Sequence, residues 1–361
     1  MDSPILPSEA KGLTYPAGNA KHFPRLETLP WSWYTDPEIL RREQETIFRQ
    51  TWQYAGPAEH VADPQTFFTC RAGDIPVVVV RDREGELRAF VNVCRHRGSI
   101  VVEGRGGRAT LQCRYHAWTY ELDGTLRTAP RADRERAFDP SGLSLVPVAV
   151  ETWGPFVFVH PDREAPPLAG VVGRLPGLVP DVASLRFHHR SEYELAANWK
   201  IACENFLECY HCPVAHPGFS KVVDVDPDAY LLESNESFWS QFARLRDNAA
   251  APAGQFHLLF PNVKLNVYPG APNLSIGPVL PAGPERTVGY LDYFFPEDAD
   301  EAWVSELLAF DDQVGREDAS LVESVQRGVR SGVIEHGRLL PESEQLVAGF
   351  QRRVAEALNN K

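Results

Sequence analysis

An α+β chain built as two consecutive units is expected here, on three observations. Between about 66 and 160, short runs with strand texture alternate with turn residues. A Pro/Gly-rich stretch, 161-PDREAPPLAGVVGRLPG-177, then reads as a junction. Beyond Asp298, apolar residues return at helical spacing over two long segments.

In chain order, residues 1–30 are rich in Pro, Gly and polar residues and read as an extended arm. Asp36-Pro37-Glu38 predicts a helix start: a capping Asp, Pro at the first helical position, then an acid. Ile39, Leu40, Ile47, Phe48 and Trp52 supply its apolar stripe. The runs IPVVVVRD, ELRAFVNV, TYELDGTLRT and PFVFVH predict strands, with hairpin turns at Gly85 and at Asp123-Gly124. Together they describe a small antiparallel β unit. The segment 198-NWKIACENFLECYH-211 is expected to be helical throughout. Residues 255–295 predict several strands broken by PNV, YPGAPN and PAGP, and the chain closes on helices.

Composition narrows the function classes. The chain has 361 residues, 43% hydrophobic and 24% charged, as a folded globular protein of two domains would. No run reaches the ~18 apolar residues of a membrane span, and the first residues lack the pattern of a secretory signal. Six cysteines in such a length do not form a disulfide scaffold; a reducing cytoplasm suits them. A net charge of −13 argues against nucleic-acid binding. Without a convincing G-x-G-x-x-G unit, the chain is expected to bind neither nicotinamide nor flavin.

Two constellations carry chemistry. The first is 94-CRHRG-98 followed by 113-CRYHAW-118. Zinc fingers pair cysteine with cysteine and histidine with histidine. Here each short segment holds one of each: Cys94 with His96, Cys113 with His116. That mixture suits a [2Fe–2S] cluster with two thiolates on one iron and two imidazoles on the other, whose reduced negative charge raises its potential. A zinc-stabilised binding module is the competing reading. Glycines crowd the surroundings at Gly98, Gly104, Gly106 and Gly107, permitting backbone N–H groups to approach sulfur.

The second is 204-ENFLECYHCPVAHP-217. On a continuous helix Glu204, Glu208 and His211 would share a face, and Asn205 would neighbour Glu208. Pro213 disfavours regular helix and pushes Cys212 from the α region, so His216 lies where it can turn back towards His211. Two histidines and one distant carboxylate form the facial triad of non-heme Fe(II) oxygenases, with positions left open for dioxygen. Cys209-x-x-Cys212 reads best as two packing cysteines, a redox pair or half a zinc site being the alternatives. Phe238, Trp239, Phe242, Phe256, Phe260 and Tyr268 either line a pocket or belong to the core.

CRHRG and CRYHAWTY, with sixteen residues between His96 and Cys113, resemble the Rieske motif, although Arg114 and Ala117 replace the Pro and Gly of C-P-Y-H-G-W. With the second constellation, nearly the whole chain resembles the large (α) subunit of Rieske non-heme iron oxygenases. The resemblance implies an arm and helix over 1–50, an antiparallel β Rieske domain over 51–165 and a helix-grip (START-like) catalytic domain with an antiparallel sheet over 166–361. It implies His211 and His216 as ligands of a mononuclear iron, Asn205 close by, and Glu208 joining the Rieske site of one subunit to the iron of its neighbour. The third ligand it implies is Asp318, in 311-DDQVGREDASLVESVQRG-328, whereas Asp311 and Asp312 read as a solvated helix face. It implies a cytoplasmic homotrimer fed by a separate NAD(P)H-dependent reductase or ferredoxin, using O2 on a small substrate. Most members carry Asp where Glu208 stands; Glu resembles the branch that mono-oxygenates quaternary ammonium compounds. Aromatic ring dioxygenation is the alternative outcome.

Overall fold

A computed structural model describes residues 26–247 and 253–359. The arm expected over 1–30 therefore lies mostly outside the described residues. Its last part is tied down: Thr28 donates its backbone N–H to Gly337, and Leu29 is fully buried.

Asp36 caps the helix Pro37–Thr46 by accepting from the Glu38 backbone N–H. Ile39, Ile47, Phe48 and Trp52 go into the core, as their spacing predicts. A seven-stranded antiparallel sheet follows. Its spatial order is Gln53–Pro57, Phe156–His160, Pro147–Trp153, Leu87–Val91, Ile75–Arg81, Thr66–Ala72 and Arg105–Gly107. Val77 to Val80, in a central strand, are wholly buried because both sheet faces are covered. Gly85 and Gly124 both take a φ of +87°, the conformation their turns require. A smaller three-stranded sheet, Leu111–Gln112, Thr119–Tyr120 and Leu126–Thr128, presents the second Cys/His loop.

The junction 161–177 is more ordered than its Pro/Gly content suggests. It holds the short helix Leu168–Val172 and the start of another, Leu175–Leu178, because Leu168, Val172 and Leu175 bury against the neighbouring sheets.

The C-terminal half is built on a second seven-stranded antiparallel sheet. Its order is Arg186–Leu195, Arg286–Phe295, Leu274–Gly283, Val263–Val267, Gly254–Leu259, Phe238–Ala243 and Leu231–Ser234. Four of these strands fall in the region expected at 255–295, the first of them starting one residue earlier, at Gly254. The strands Arg186–Leu195, Leu231–Ser234 and Phe238–Ala243 are not legible in the sequence: the first is mostly polar and partly exposed, so its alternation is weak. The helix Glu301–Val329 lies over the sheet, capped by Asp300, whose carboxylate accepts from the Trp303 N–H. A terminal helix, Gln345–Asn359, completes the core. Among the described residues, no helix is long and apolar enough to cross a membrane.

Candidate active site

The two Cys/His loops fold alike. In each, the cysteine N–H donates to the carbonyl five residues on (Ser99, Trp118), and the cysteine carbonyl accepts from the N–H four residues on (Gly98, Ala117). Cys94 and Cys113 are buried, whereas His96 and His116 are exposed, their rings 4.7 Å apart. Thiolates inside and imidazoles at the surface suit a [2Fe–2S] cluster whose histidine-bound iron faces outward. Desolvation opposes ionisation of Cys113, but the N–H groups of Tyr115 and His116 and its contacts with Cys94 and Ser99 lower its pKa overall. Buried Tyr120 lies with its hydroxyl 3.4 Å from the Cys94 Sγ and accepts from the Arg95 N–H at 2.9 Å. These donors fit a cluster held by thiolate. Of the four glycines near the motif, Gly98 lies in a loop at φ +74°, whereas Gly104 to Gly107 fall on or beside the edge strand Arg105–Gly107.

The two loops differ at their fourth step. Ala117 takes φ +56°, where Gly98 takes +74° without strain. The departure from the family motif thus keeps the loop geometry at a cost. Ala117→Gly should raise stability by about 0.5–1 kcal/mol, since it relieves ~1–2 kcal/mol of left-handed strain and returns ~0.4–1 kcal/mol of chain entropy. Thermal unfolding should show a slightly higher midpoint; a lower one would count against the strain.

The second constellation is not one helix. Asn198 caps the helix Trp199–Phe206 by accepting from the Lys200 N–H. Trp199 and Lys200 both bind the buried Glu43 of the first helix, at 2.8 and 2.6 Å. The helix then stops; Gln241 donates to the Phe206 carbonyl. Glu204 consequently points away from Glu208 and accepts from Tyr34 at 2.9 Å. Glu208 lies beyond the helix end, where its carboxylate accepts from the backbone N–H groups of Tyr210 and His211. Cys212 opens a one-turn helix, Cys212–Ala215, despite the proline that follows it, and His216 leads into Pro217–Val222. Cys209 and Cys212 are joined in a disulfide, with Cα atoms 4.9 Å apart, so the packing-pair reading is replaced.

His211, His216 and Asp318 converge. Nε2 of His211 lies 3.1 Å from Nε2 of His216, and Oδ1 of Asp318 lies 3.0 Å from the latter and 3.4 Å from the former. An octahedral face with bonds of ~2.1 Å has edges of ~3 Å, so three donors at these separations fit one metal ion. Each imidazole is held through its other nitrogen by a carboxylate: His211 Nδ1 by Glu208 at 2.5 Å, His216 Nδ1 by Glu317 at 2.7 Å. Such contacts orient a ligand and raise its basicity. Asn205 donates to Asp318 Oδ1 at 3.0 Å. In the metal-free chain, burial pulls the His211 imidazole down, but Asp318 and Glu208 outweigh it and raise it to about 9. The same balance raises His216, while burial opposes and the two histidines enforce a strongly lowered Asp318. Glu317 is legible only as a neighbour of Asp318 in the sequence; its role as partner of His216 is not.

Asp312 is exposed and pairs with Arg316, as a solvated face would. Asp311 does not: it is 9% exposed and accepts from the hydroxyls of Tyr268 and Tyr293. The reason is helical phase, since Asp311 and Asp318 are seven residues apart and share the face turned to the sheet. A cavity of about 420 Å³ lies between that face and the sheet. Of the six aromatics singled out in the sequence, Phe256 and Tyr268 line it; Phe238, Trp239, Phe242 and Phe260 are buried elsewhere.

Comparison with known proteins bears on both centres. Residues 51–151 match the Rieske [2Fe-2S] domain, and 182–360 match the ring hydroxylating alpha subunit (catalytic domain). Choline monooxygenase of Spinacia oleracea is 34% identical over 90% of this chain and 76% of its own. The carnitine monooxygenase oxygenase subunit of Escherichia coli is 33% identical over 92% and 94%. The quaternary ammonium Rieske monooxygenase CntA with L-carnitine superposes with a TM-score of 0.83 at 30% identity, covering 93% of this chain and 96% of that one. Naphthalene 1,2-dioxygenase from Rhodococcus sp., at 18% identity and a TM-score of 0.76, shares the fold. A zinc-stabilised module is thereby excluded, and the cofactors are a Rieske [2Fe–2S] cluster and a mononuclear non-heme iron. The chain belongs to the Rieske non-heme iron oxygenases, as an oxygenase (α) subunit.

Proposed function

We propose that this chain is the terminal oxygenase component of a system that mono-oxygenates a quaternary ammonium compound. The observation that carries it is the convergence of His211, His216 and Asp318 on one point beside a cavity walled by aromatic rings and a buried carboxylate. The similar choline and carnitine monooxygenases support the substrate class. The overall reaction is R–H + O2 + 2 e⁻ + 2 H⁺ → R–OH + H2O, with hydroxylation beside nitrogen leading to loss of the amine. When bound, the cluster supplies electrons one at a time and the mononuclear iron supplies oxygen activation. Cys94, Cys113, His96 and His116 hold the cluster; His211, His216 and Asp318 hold the iron; Asn205 steadies Asp318. A separate NAD(P)H-dependent reductase or ferredoxin delivers the electrons.

Glu208 is the residue we assign to inter-centre transfer. Within one chain Glu208 contacts Tyr210 and His211, whereas His116 contacts His96 and Tyr115. The exposed His116 of a neighbouring copy completes the path, which makes a closed homotrimer with a heterologous interface the expected assembly. Inter-subunit electron transfer is described for a quaternary ammonium Rieske monooxygenase of the same fold. We read 1–50 as arm and first helix, 51–165 as the Rieske unit and 166–361 as the catalytic unit, in the cytoplasm.

Aromatic ring dioxygenation draws on the shared fold and on the match to the ring hydroxylating alpha subunit, while the charged groups of the cavity favour a charged substrate. Purified enzyme with a surrogate reductase should consume NAD(P)H and O2 with betaines, carnitine or choline. Turnover confined to aromatic acids would overthrow the proposal.

A further inference from the structure

Of the charged groups that line the cavity and that the iron ligands do not use, Glu192, Glu194, Asp312 and Arg316 are exposed; Asp311 and Lys264 are not, and Tyr268, which binds Asp311, lies four residues along the chain from Lys264. Asp311 is buried with both oxygens taken by the tyrosine hydroxyls of Tyr268 and Tyr293, themselves 8% and 4% exposed. Phe256 packs edge-on to Tyr268 with centroids 5.8 Å apart, and Phe219 lies 6.0 Å from Phe256. Burial pushes the Asp311 carboxyl up; the two hydroxyls and, at longer range, Lys264 pull against it. Asp311 makes no ion pair among the described residues. A buried carboxylate ringed by aromatic faces gains most from a cation with little hydration, such as a quaternary ammonium group.

Lys264 is the cationic group. The strand Val263–Val267 points alternate residues the same way, so Lys264, Asn266 and, just beyond, Tyr268 face the cavity in a row. Among the described residues the Lys264 ammonium has no hydrogen-bond acceptor and no carboxylate partner. Its neighbours are the rings of Phe206 and Tyr193, at 5.0 and 5.9 Å. Lys264 is half-buried, whereas the Tyr193 hydroxyl is buried and unpaired, as is Oδ1 of Asn266. The Tyr193 ring rests against Gly289, its cross-strand partner, where a Cβ would lie 2.3 Å from the ring. Only glycine there admits the ring. Two unpaired donors of this kind lack an anion.

Asp318 stands between the two groups. Asp311 precedes it by two helical turns, roughly 10 Å along the axis. Ala319 and Val322, which follow it, pack in the same apolar cluster as Tyr193 and Phe206. A ligand touching both groups therefore has its middle at the ligands of the iron.

Building on the quaternary-ammonium reading, we propose that the substrate is a zwitterion, a quaternary ammonium carboxylate. Its ammonium group sits against Asp311, Tyr268, Tyr293 and Phe256, and its carboxylate meets Lys264 and Tyr193. Lys264 is then the specificity-determining residue that separates carboxylate-bearing substrates from choline-like ones, while Asp311 serves both.

Calorimetric titration of the cofactor-loaded enzyme with γ-butyrobetaine and with choline tests this. The wild type should bind γ-butyrobetaine at least ~10-fold tighter than choline. Lys264→Met should cut that ratio by ~30-fold or more, because the carboxylate is left desolvated without its partner. Lys264→Arg should restore most of it. Asp311→Asn should weaken both ligands. In steady state, Lys264→Met should raise KM for γ-butyrobetaine far more than it lowers kcat. The visible absorption of the cluster reports that each variant is folded. A wild-type ratio near one overturns the proposal without any variant, as does a Lys264→Met variant that keeps the ratio. In either case binding of choline leaves the quaternary-ammonium reading standing. Binding of neither compound sinks both.

Discussion

Asp318→Ala is expected to leave a folded, red-brown protein that carries its cluster but almost no third iron, with turnover reduced by at least ~100-fold. Loss of a residue that merely supports a ligand costs a metal site about 10–100-fold in affinity. Asp318 is in direct reach of both imidazoles, and it is the only carboxylate of the three converging donors. Its removal leaves two neutral ligands for a dication and strips Asn205 of its acceptor. The cluster loops belong to a different sheet and should not notice. Iron analysis beside the visible spectrum separates the two centres. A variant retaining full iron and full turnover would remove Asp318 from the metal site and return the choice of ligand to Asp311, which the tyrosines now occupy.

The second large effect is kinetic. Glu208→Gln should keep the fold, since the amide oxygen can still accept from the Tyr210 and His211 N–H groups. It should lower iron affinity by no more than ~10–100-fold, the range for a partner of a metal-bound imidazole. Reduction of the cluster by the reductase should be untouched. Turnover should nonetheless collapse, because the charge that holds His211 and connects it outward is gone. The decisive measurement is a single turnover in iron-replete enzyme: reoxidation of the pre-reduced cluster, with substrate and O2 present, should slow by more than ~100-fold. Reoxidation at the normal rate would show that electrons reach the iron by another route.

Much of the fold and most of the site are legible in the amino-acid order, for a definite reason. Metal ligands come from few side-chain types, and short spacings such as Cys94-x-His96 or His211 to His216 survive any folding of the intervening turn. The Asp36 cap, the Asp123-Gly124 turn and the long helix from Glu301 are legible because they rest on contacts within a few residues. The polar strand Arg186–Leu195 is not, because its pairing with Arg286–Phe295 spans about a hundred residues and leaves little local trace.

The catalytic segment divides in the same way. Helical periodicity groups Glu204 with Glu208 and His211, but tertiary contacts at Gln241, Tyr34 and the Glu208 carboxylate end the helix at Phe206 and send Glu204 to a different partner. The amino-acid order suggested Cys94, His96, Cys113, His116, His211 and His216 as donors through side-chain identity and short separations, whereas Asp318, a hundred residues further on, came from the family resemblance. Packing alone decided that Asp311 is buried while Asp312 is solvated, that Glu317 holds His216, and that Lys264 faces the cavity with no carboxylate paired to it among the described residues. Those outcomes depend on which side of a helix or strand meets a surface formed by distant residues, and a linear pattern does not contain that surface.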